Sequence, residues 1–141
     1  MRTIKFRGKR IDNGEWVYGH YVPNSVCARI VEDFAVVKAG KYTDDNLSHC
    51  SGEFHIVNST SVGQFTGLTD KNGKEIYEGD ILKQEKWVSV GKYAEATGVV
   101  VFKSPLFTVE CIGDWHGSNA DLNCNSEIIG NTTDNPEFLT K

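Results

Sequence analysis

The stretch Gly63-Gln-Phe-Thr-Gly-Leu-Thr-Asp-Lys-Asn-Gly-Lys-Glu-Ile-Tyr-Glu-Gly-Asp80 decides the fold class. Asp70-Lys71-Asn72-Gly73-Lys74 reads as a type I turn with Gly73 in the left-handed position. A three-residue loop there sets Asp70 against Lys74 and Leu68 against Ile76. A two-residue loop would oppose Lys71 to Lys74 and Asp70 to Glu75, which is repulsive, so charge selects the longer loop. Glu78-Gly79-Asp80 is a second tight turn, and Ile81-Leu82 opens the next strand. Asn72, Gly73, Gly79 and Asp80 are thus expected to be structural turn residues.

Outward from this segment the same grammar recurs. Ile4 and Phe6 alternate with Lys5 and Arg7, Asp12-Asn13-Gly14 is a hairpin turn built on Asn13 and Gly14, and Trp16-Val-Tyr starts the return strand. Two registers are open. A two-residue turn pairs Ile11 with Trp16 and gathers Lys5, Arg7 and Lys9 beside Trp16, Tyr18 and His20, a basic-aromatic face suited to single-stranded nucleic acid. A three-residue turn pairs Arg10 with Trp16, collects Ile4, Phe6, Trp16, Tyr18 and Val22, and sends the basic residues to the other face. Hydrophobic pattern favours the second.

Residues 28–32, 34–38 and 54–57 read as short strands around an exposed loop over 40–52. Lys83 to Thr97 reads as a polar excursion carrying Trp87 and Tyr93. Gly98-Val-Val-Val-Phe, Leu106-Phe-Thr-Val-Glu and Glu127-Ile-Ile-Gly are further strands. Asp134-Asn-Pro-Glu137 starts a short helical turn, with Asn135 as its cap. Many short strands without a long amphipathic helix predict a mainly β chain whose C-terminal part is an SH3-like small barrel.

Composition bounds the function. At 141 residues and 39% hydrophobic, the chain can bury about two thirds of its unfolded surface without metals or disulfides. Cys27, Cys50, Cys111 and Cys124 show no close pairing, so buried thiols are expected. No apolar run reaches the ~20 residues of a membrane span, and the basic N-terminus lacks the apolar stretch of a secretory signal, which predicts a cytoplasmic protein without membrane partners. Five of the 15 Lys and Arg fall within residues 1–10, which hold no acid, so the remaining ten face all 19 Asp and Glu. A duplex-DNA binder is usually basic throughout, and this chain is not.

The chain resembles the YopX family of bacteriophage and prophage proteins. The likeness lies in Ile4-Lys-Phe-Arg-Gly with Gly14-Glu-Trp-Val-Tyr-Gly, in Val62 to Ile81, in Gly98-Val-Val-Val-Phe, and in Ile129-Gly-Asn followed by Asn135-Pro-Glu-Phe-Leu. Residues 24–55 and 83–97 carry none of the pattern, and Ser61, Asn58-Ser-Thr60 and Thr132-Thr133 depart from it. The resemblance implies an N-terminal β region over 1–61 (a hairpin plus variable loops) and an SH3-like barrel over 62–141, as one compact unit. It implies phage or prophage origin and supplies no reaction.

The polar residues allow three chemistries: metal binding, hydrolysis and nucleic-acid binding. Zinc could draw on His49, Cys50 and His55 with Cys111, His116 and Cys124, yet neither loop has the close Cys-x₂₋₄-Cys pairing of structural sites. Asp114-Trp-His116 with Cys111 or Ser118 makes poor triad geometry, since neighbours on a strand face opposite ways. Glu78 and Asp80 flank a tight turn, where carboxylates hold backbone N–H groups. The expectation is therefore a non-enzymatic module with no metal or cofactor. It binds a protein partner or itself through Trp87, Tyr93, Lys83, Lys86 and Lys92. The alternative is nucleic acid held by Lys5, Arg7 and Lys9.

Overall fold

The computed structural model describes residues 3–23, 27–32, 54–113, 119–123 and 125–140. The strand expected at 34–38, the loop over 40–52, and His49, Cys50, Asp114 to Ser118 and Cys124 lie outside these residues. Among the described residues there are two antiparallel sheets, and the chain divides into two units, residues 1–64 and 65–141.

In the first unit β1 (Phe6–Lys9), β2 (Trp16–Pro23), β3 (Ala28–Val31) and β4 (Phe54–Val57) form an antiparallel meander. β1 has two partners on its outer edge. Phe6 and Arg7 pair with Gln64 and Gly63 of β5 (Gly63–Thr69), while Arg10 bridges Val57 and the Asn58 N–H donates to the Lys9 carbonyl at 2.8 Å. The core face carries Val17, Ala28, Ile30 and Val57, flanked by Phe6, Tyr21 and Val62.

The first hairpin takes neither expected register. Lys9 pairs with Trp16 and Arg7 with Tyr18. Arg10 N–H donates to the Glu15 carbonyl and Gly14 N–H to the Arg10 carbonyl, closing a loop over residues 11–14 with Gly14 at φ 73°. One residue more than the favoured loop turns every side chain over. Lys5, Arg7 and Lys9 therefore share a face with Trp16, Tyr18 and His20, and Ile4 is exposed. Packing against β4 explains the outcome: a Cβ at Gly8 would lie 2.7 Å from Val57 Cγ2. The core face thus seats the small pair Gly8 and Val17 beneath Val57, where the bulkier Trp16 set has no room.

In the second unit the rest of β5 pairs with β6 (Glu75–Tyr77), and β7 (Asp80–Ser89), β8 (Lys92–Lys103), β9 (Leu106–Ile112), β10 (Asn119–Asp121) and β11 (Glu127–Asn131) form a sheet in the order β10-β9-β8-β7-β11. Its edges are β10 and β11, so this sheet is open and not closed into the expected SH3-like barrel. Ile76, Leu82, Ala96, Val100, Val109, Cys111 and Ala120 make the core, and Gly98 is required where Val109 Cγ1 and the Glu110 carbonyl would crowd any Cβ.

The turn at Asp70–Lys74 has the length read from the charges: Asp70 N–H donates to the Lys74 carbonyl at 2.8 Å, and Gly73 sits at φ 82°. Leu68 does not face Ile76, however. β5 bulges between Phe65↔Tyr77 and Thr69↔Glu75, with Gly67 at φ 89° and Thr66 Oγ1 both donating to the Ile76 carbonyl and accepting from Leu68 N–H. Leu68 is left exposed, and Ile76 is fully buried. Asp80, buried, accepts the Tyr77 N–H at 2.8 Å across the Glu78-Gly79 turn, with Gly79 at φ 90°.

The chain ends in a 3-10 turn over Pro136–Thr140. Asn135 does not cap it with its side chain. Its Oδ1 accepts instead from Asn131 N–H at 3.3 Å, and that amide lies over Gly130, where a Cβ would sit 2.6 Å from it.

Candidate functional site

The region read as a polar excursion is a regular hairpin. β7 and β8 pair from Ile81↔Val99 out to Trp87↔Tyr93 and Ser89↔Lys92, turning at Val90-Gly91 with Gly91 at φ 70°. β11 leaves β7 at Lys83, paired with Glu127, and β9 leaves β8 at Thr97, paired with Ile112. Residues 84–96 beyond those pairs are a two-stranded ribbon, reaching about 20 Å at the usual rise per residue. The sequence masked this because Lys, Gln and Glu alternate with the strand formers Trp, Val, Tyr and Thr. Gly91 between two such runs is the signal that locates the turn.

Alternation sorts the ribbon into two faces. Leu82↔Gly98, Gln84↔Ala96 and Lys86↔Ala94 lie on the face that continues into the core, the side chain of Lys86 lying outside what is described. The other face carries three successive opposed pairs: Lys83 with Thr97, Glu85 with Glu95, and Trp87 with Tyr93. Trp87 is 59% and Tyr93 65% exposed, and Val88 and Val90 add to the apolar tip. Two-stranded ribbons have little to hold them, and large exposed aromatics on one mark a contact surface.

Of the three lysines that the sequence set around this tip, Lys83 and Lys92 have described side chains. Lys83 Nζ lies 3.2 Å from Glu95 Oε1, and Glu85 and Glu95 stand between Lys83 and the aromatic pair. Lys92 is exposed and opposes Ser89. An open depression of roughly 430 Å³ runs along this region, lined by Lys71, Lys83, Gln84, Glu85, Glu95, Asn125 and Glu127, with Lys71 Nζ 2.9 Å from Glu127 Oε2. Glu85 and Glu95 were not singled out in the sequence, because their opposition appears only once the turn is fixed at Val90-Gly91.

In the first unit, Arg7 is buried with its guanidinium 4.6 Å from the centre of the Trp16 ring, Lys5, Lys9 and His20 are half-buried, and Tyr18 is exposed. The basic-aromatic face exists, with its central cation spent on an indole.

Among the described residues no three His, Cys, Asp or Glu side chains meet in a way that would hold a metal ion. His55 Nε2 lies 3.1 Å from Glu32 Oε1, Cys27 Sγ accepts from Arg29 Nε at 3.2 Å, and Cys111 is fully buried in the core. No helix among the described residues is long and apolar enough to cross a membrane.

None of the curated proteins matches the chain. Among solved structures, protein EF1440 from Enterococcus faecalis is similar at 24% identity and a TM-score of 0.52, with 99% of each chain covered, which speaks to the fold alone. The model of the YopX protein family matches residues 5–140, nearly end to end, and the chain belongs to that family.

Proposed function

We propose that this is a non-enzymatic accessory module of a phage or prophage, working in the host cytoplasm by binding a protein through the tip of the β7–β8 ribbon. The observation that carries the reading is the opposed pair Trp87 and Tyr93, both more than half exposed on a ribbon that extends past its sheet. Aromatic side chains of this kind supply most of the energy in protein interfaces. Self-association is the variant in which the partner is a second copy.

A photo-crosslinking amino acid at position 93, compared with the same group at Lys103, tests it. A discrete adduct from 93 that disappears in Trp87→Ser supports the reading. Equal labelling from both positions refutes it, and solution mass with and without Trp87→Ser separates a foreign partner from self-association.

A second reading is nucleic-acid binding, favoured by the register that sets Lys5, Arg7 and Lys9 beside Trp16, Tyr18 and His20. Single-stranded DNA or RNA would stack on Tyr18 and meet Lys5 and Lys9. A titration at low salt, where phosphate contacts are strongest, decides it: absence of binding there ends the reading.

A further inference from the structure

Glycine directly follows asparagine twice in the chain, at Asn13-Gly14 and at Asn72-Gly73. Such a step invites one covalent reaction, attack of the glycine nitrogen on the asparagine side-chain carbonyl carbon, because glycine brings no side chain to obstruct it. The two steps sit in different surroundings. Asn13 Oδ1 accepts the Glu15 N–H at 2.9 Å and its Nδ2 donates to Glu15 Oε2 at 3.2 Å, so both ends of that amide are held. Asn72 is exposed, and its side chain makes no hydrogen bond among the described residues. A Cβ at Gly73 would meet nothing within 4 Å, so the space beside its nitrogen is open. Lys74 follows Gly73, whereas Glu15 follows Gly14. A neighbouring cation favours the deprotonated nitrogen that attacks, and a neighbouring carboxylate opposes it. One bond stands against the reaction: the Gly73 N–H donates to the Asp70 carbonyl at 3.0 Å. It lies at an exposed hairpin tip, where backbone bonds open most readily.

We propose that Asn72 is a site of spontaneous deamidation whose isoaspartyl product releases Asp70 from β11. The Gly73 nitrogen gives its proton to solvent and bonds to Asn72 Cγ. The Cγ–Nδ2 bond breaks, and Nδ2 leaves with a proton from water as ammonia. Water then opens the resulting succinimide. Cleavage at Cγ gives aspartate, and cleavage at the main-chain carbonyl gives isoaspartate, in which the main chain runs through Cγ. Before the reaction Asp70 Oδ1 accepts from both Asn72 N–H and Lys74 N–H at 2.9 Å, and Oδ2 accepts from Ile128 N–H at 3.2 Å. The isoaspartyl form adds one carbon to the main chain between the first two of those donors, so a single oxygen no longer spans them. It also sets a new carboxylate beside Asp70, where like charges repel. The carboxylate that holds Ile128 thereby loses its seat.

The test incubates the intact chain at mildly alkaline pH beside a free peptide with the sequence of residues 69–77. Peptide mass spectrometry locates the conversion, and labelling by an isoaspartyl methyltransferase identifies the product. Position 72 is expected to convert several-fold faster than position 13, with isoaspartate formed at 72. The gap should narrow in urea, which frees Asn13 from Glu15. Glu15→Ala should raise the rate at position 13 and leave that at 72 as it was. An intact Asn72 after the free peptide has converted, or equal rates at the two positions in the folded chain, overturns the proposal. Hydrogen exchange at the Ile128 amide reads the consequence. The isoaspartyl fraction should lose protection there, while Asn72→Asp, which carries the charge without the extra main-chain carbon, should keep more of it. Equal protection in the two overturns the release of Asp70.

Discussion

Replacing Asp70 with Asn probes the one carboxylate on which several elements of the second unit converge. Asp70 is 4% exposed, its Oδ1 accepting from Asn72 and Lys74 N–H at 2.9 Å each and its Oδ2 from Ile128 N–H at 3.2 Å. Burial alone would push this carboxyl up. The N–H groups of Lys74, Ile128 and Asn72, with the Lys74 charge, outweigh it and hold the group below the usual carboxylate range. Asn keeps one acceptor oxygen but points an N–H₂ at the Ile128 N–H, so one charge-assisted bond is lost and two are weakened. At about 1.5–3 kcal/mol for the first and somewhat under 1 for each of the others, less the relief of desolvating a charge, the net cost is about 2–3 kcal/mol at neutral pH. That corresponds to a fall in Tm of roughly 6–10 °C for a chain of this size. Since the folded-state pKa is depressed, the stabilisation is fully present above the unfolded value near ~4 and is lost as pH falls through the folded one. Urea unfolding of both proteins at several pH values between neutral and about 3 measures this. The two stability curves should lie apart at neutral pH and converge on acidification. A gap under about 0.5 kcal/mol at pH 7, or one independent of pH, refutes the reasoning.

Gly98→Ala should cost at least about 2 kcal/mol, because its Cβ would lie 2.7 Å from the Glu110 carbonyl, a backbone atom that cannot yield; denaturant midpoints report it. Gly8→Ala should cost about 1–3 kcal/mol in the same assay, since only the Val57 side chain has to give. Glu85→Lys converts a like-charge pair into an opposite-charge one and should raise stability by up to about 1 kcal/mol, read from denaturant midpoints. Trp87→Ala should change stability by less than about 1 kcal/mol, given its exposure, and any larger loss would mean that the ribbon depends on it for folding.

The strands on either side of Asp70 could be read from sequence because charge and turn chemistry are local. Asp70, Asn72, Gly73 and Lys74 specify their own turn. The first hairpin misled because its register is set at a distance, by Val57 seated on Gly8, while hydrophobic size along the strand argues the other way. The bulge at Gly67 was hidden for a similar reason: Thr66 bonds the backbone across the sheet, and nothing in the spacing announces it. At the candidate site, Trp87 and Tyr93 were legible as exposed aromatics, but Glu85 and Glu95 are ten residues apart and become neighbours only through antiparallel pairing. Lysine content near Trp87 suggested a basic rim, and cross-strand pairing sets Glu85 and Glu95 between Lys83 and the aromatic pair.

The ribbon beyond Lys83 and Thr97 also has a modular length. Removing one residue from each strand would shorten it by about 3.4 Å and swing Trp87 and Tyr93 round to the opposite face. Removing two from each would draw the tip in by about 6.8 Å with its orientation kept. Reach and facing are thereby set by the parity of a small deletion, and paired deletions made beyond Gln84 and Ala96 leave the core around Val100 and Cys111 untouched. Arms of different length on the same scaffold could engage partners at graded distances, in steps of two residues per strand.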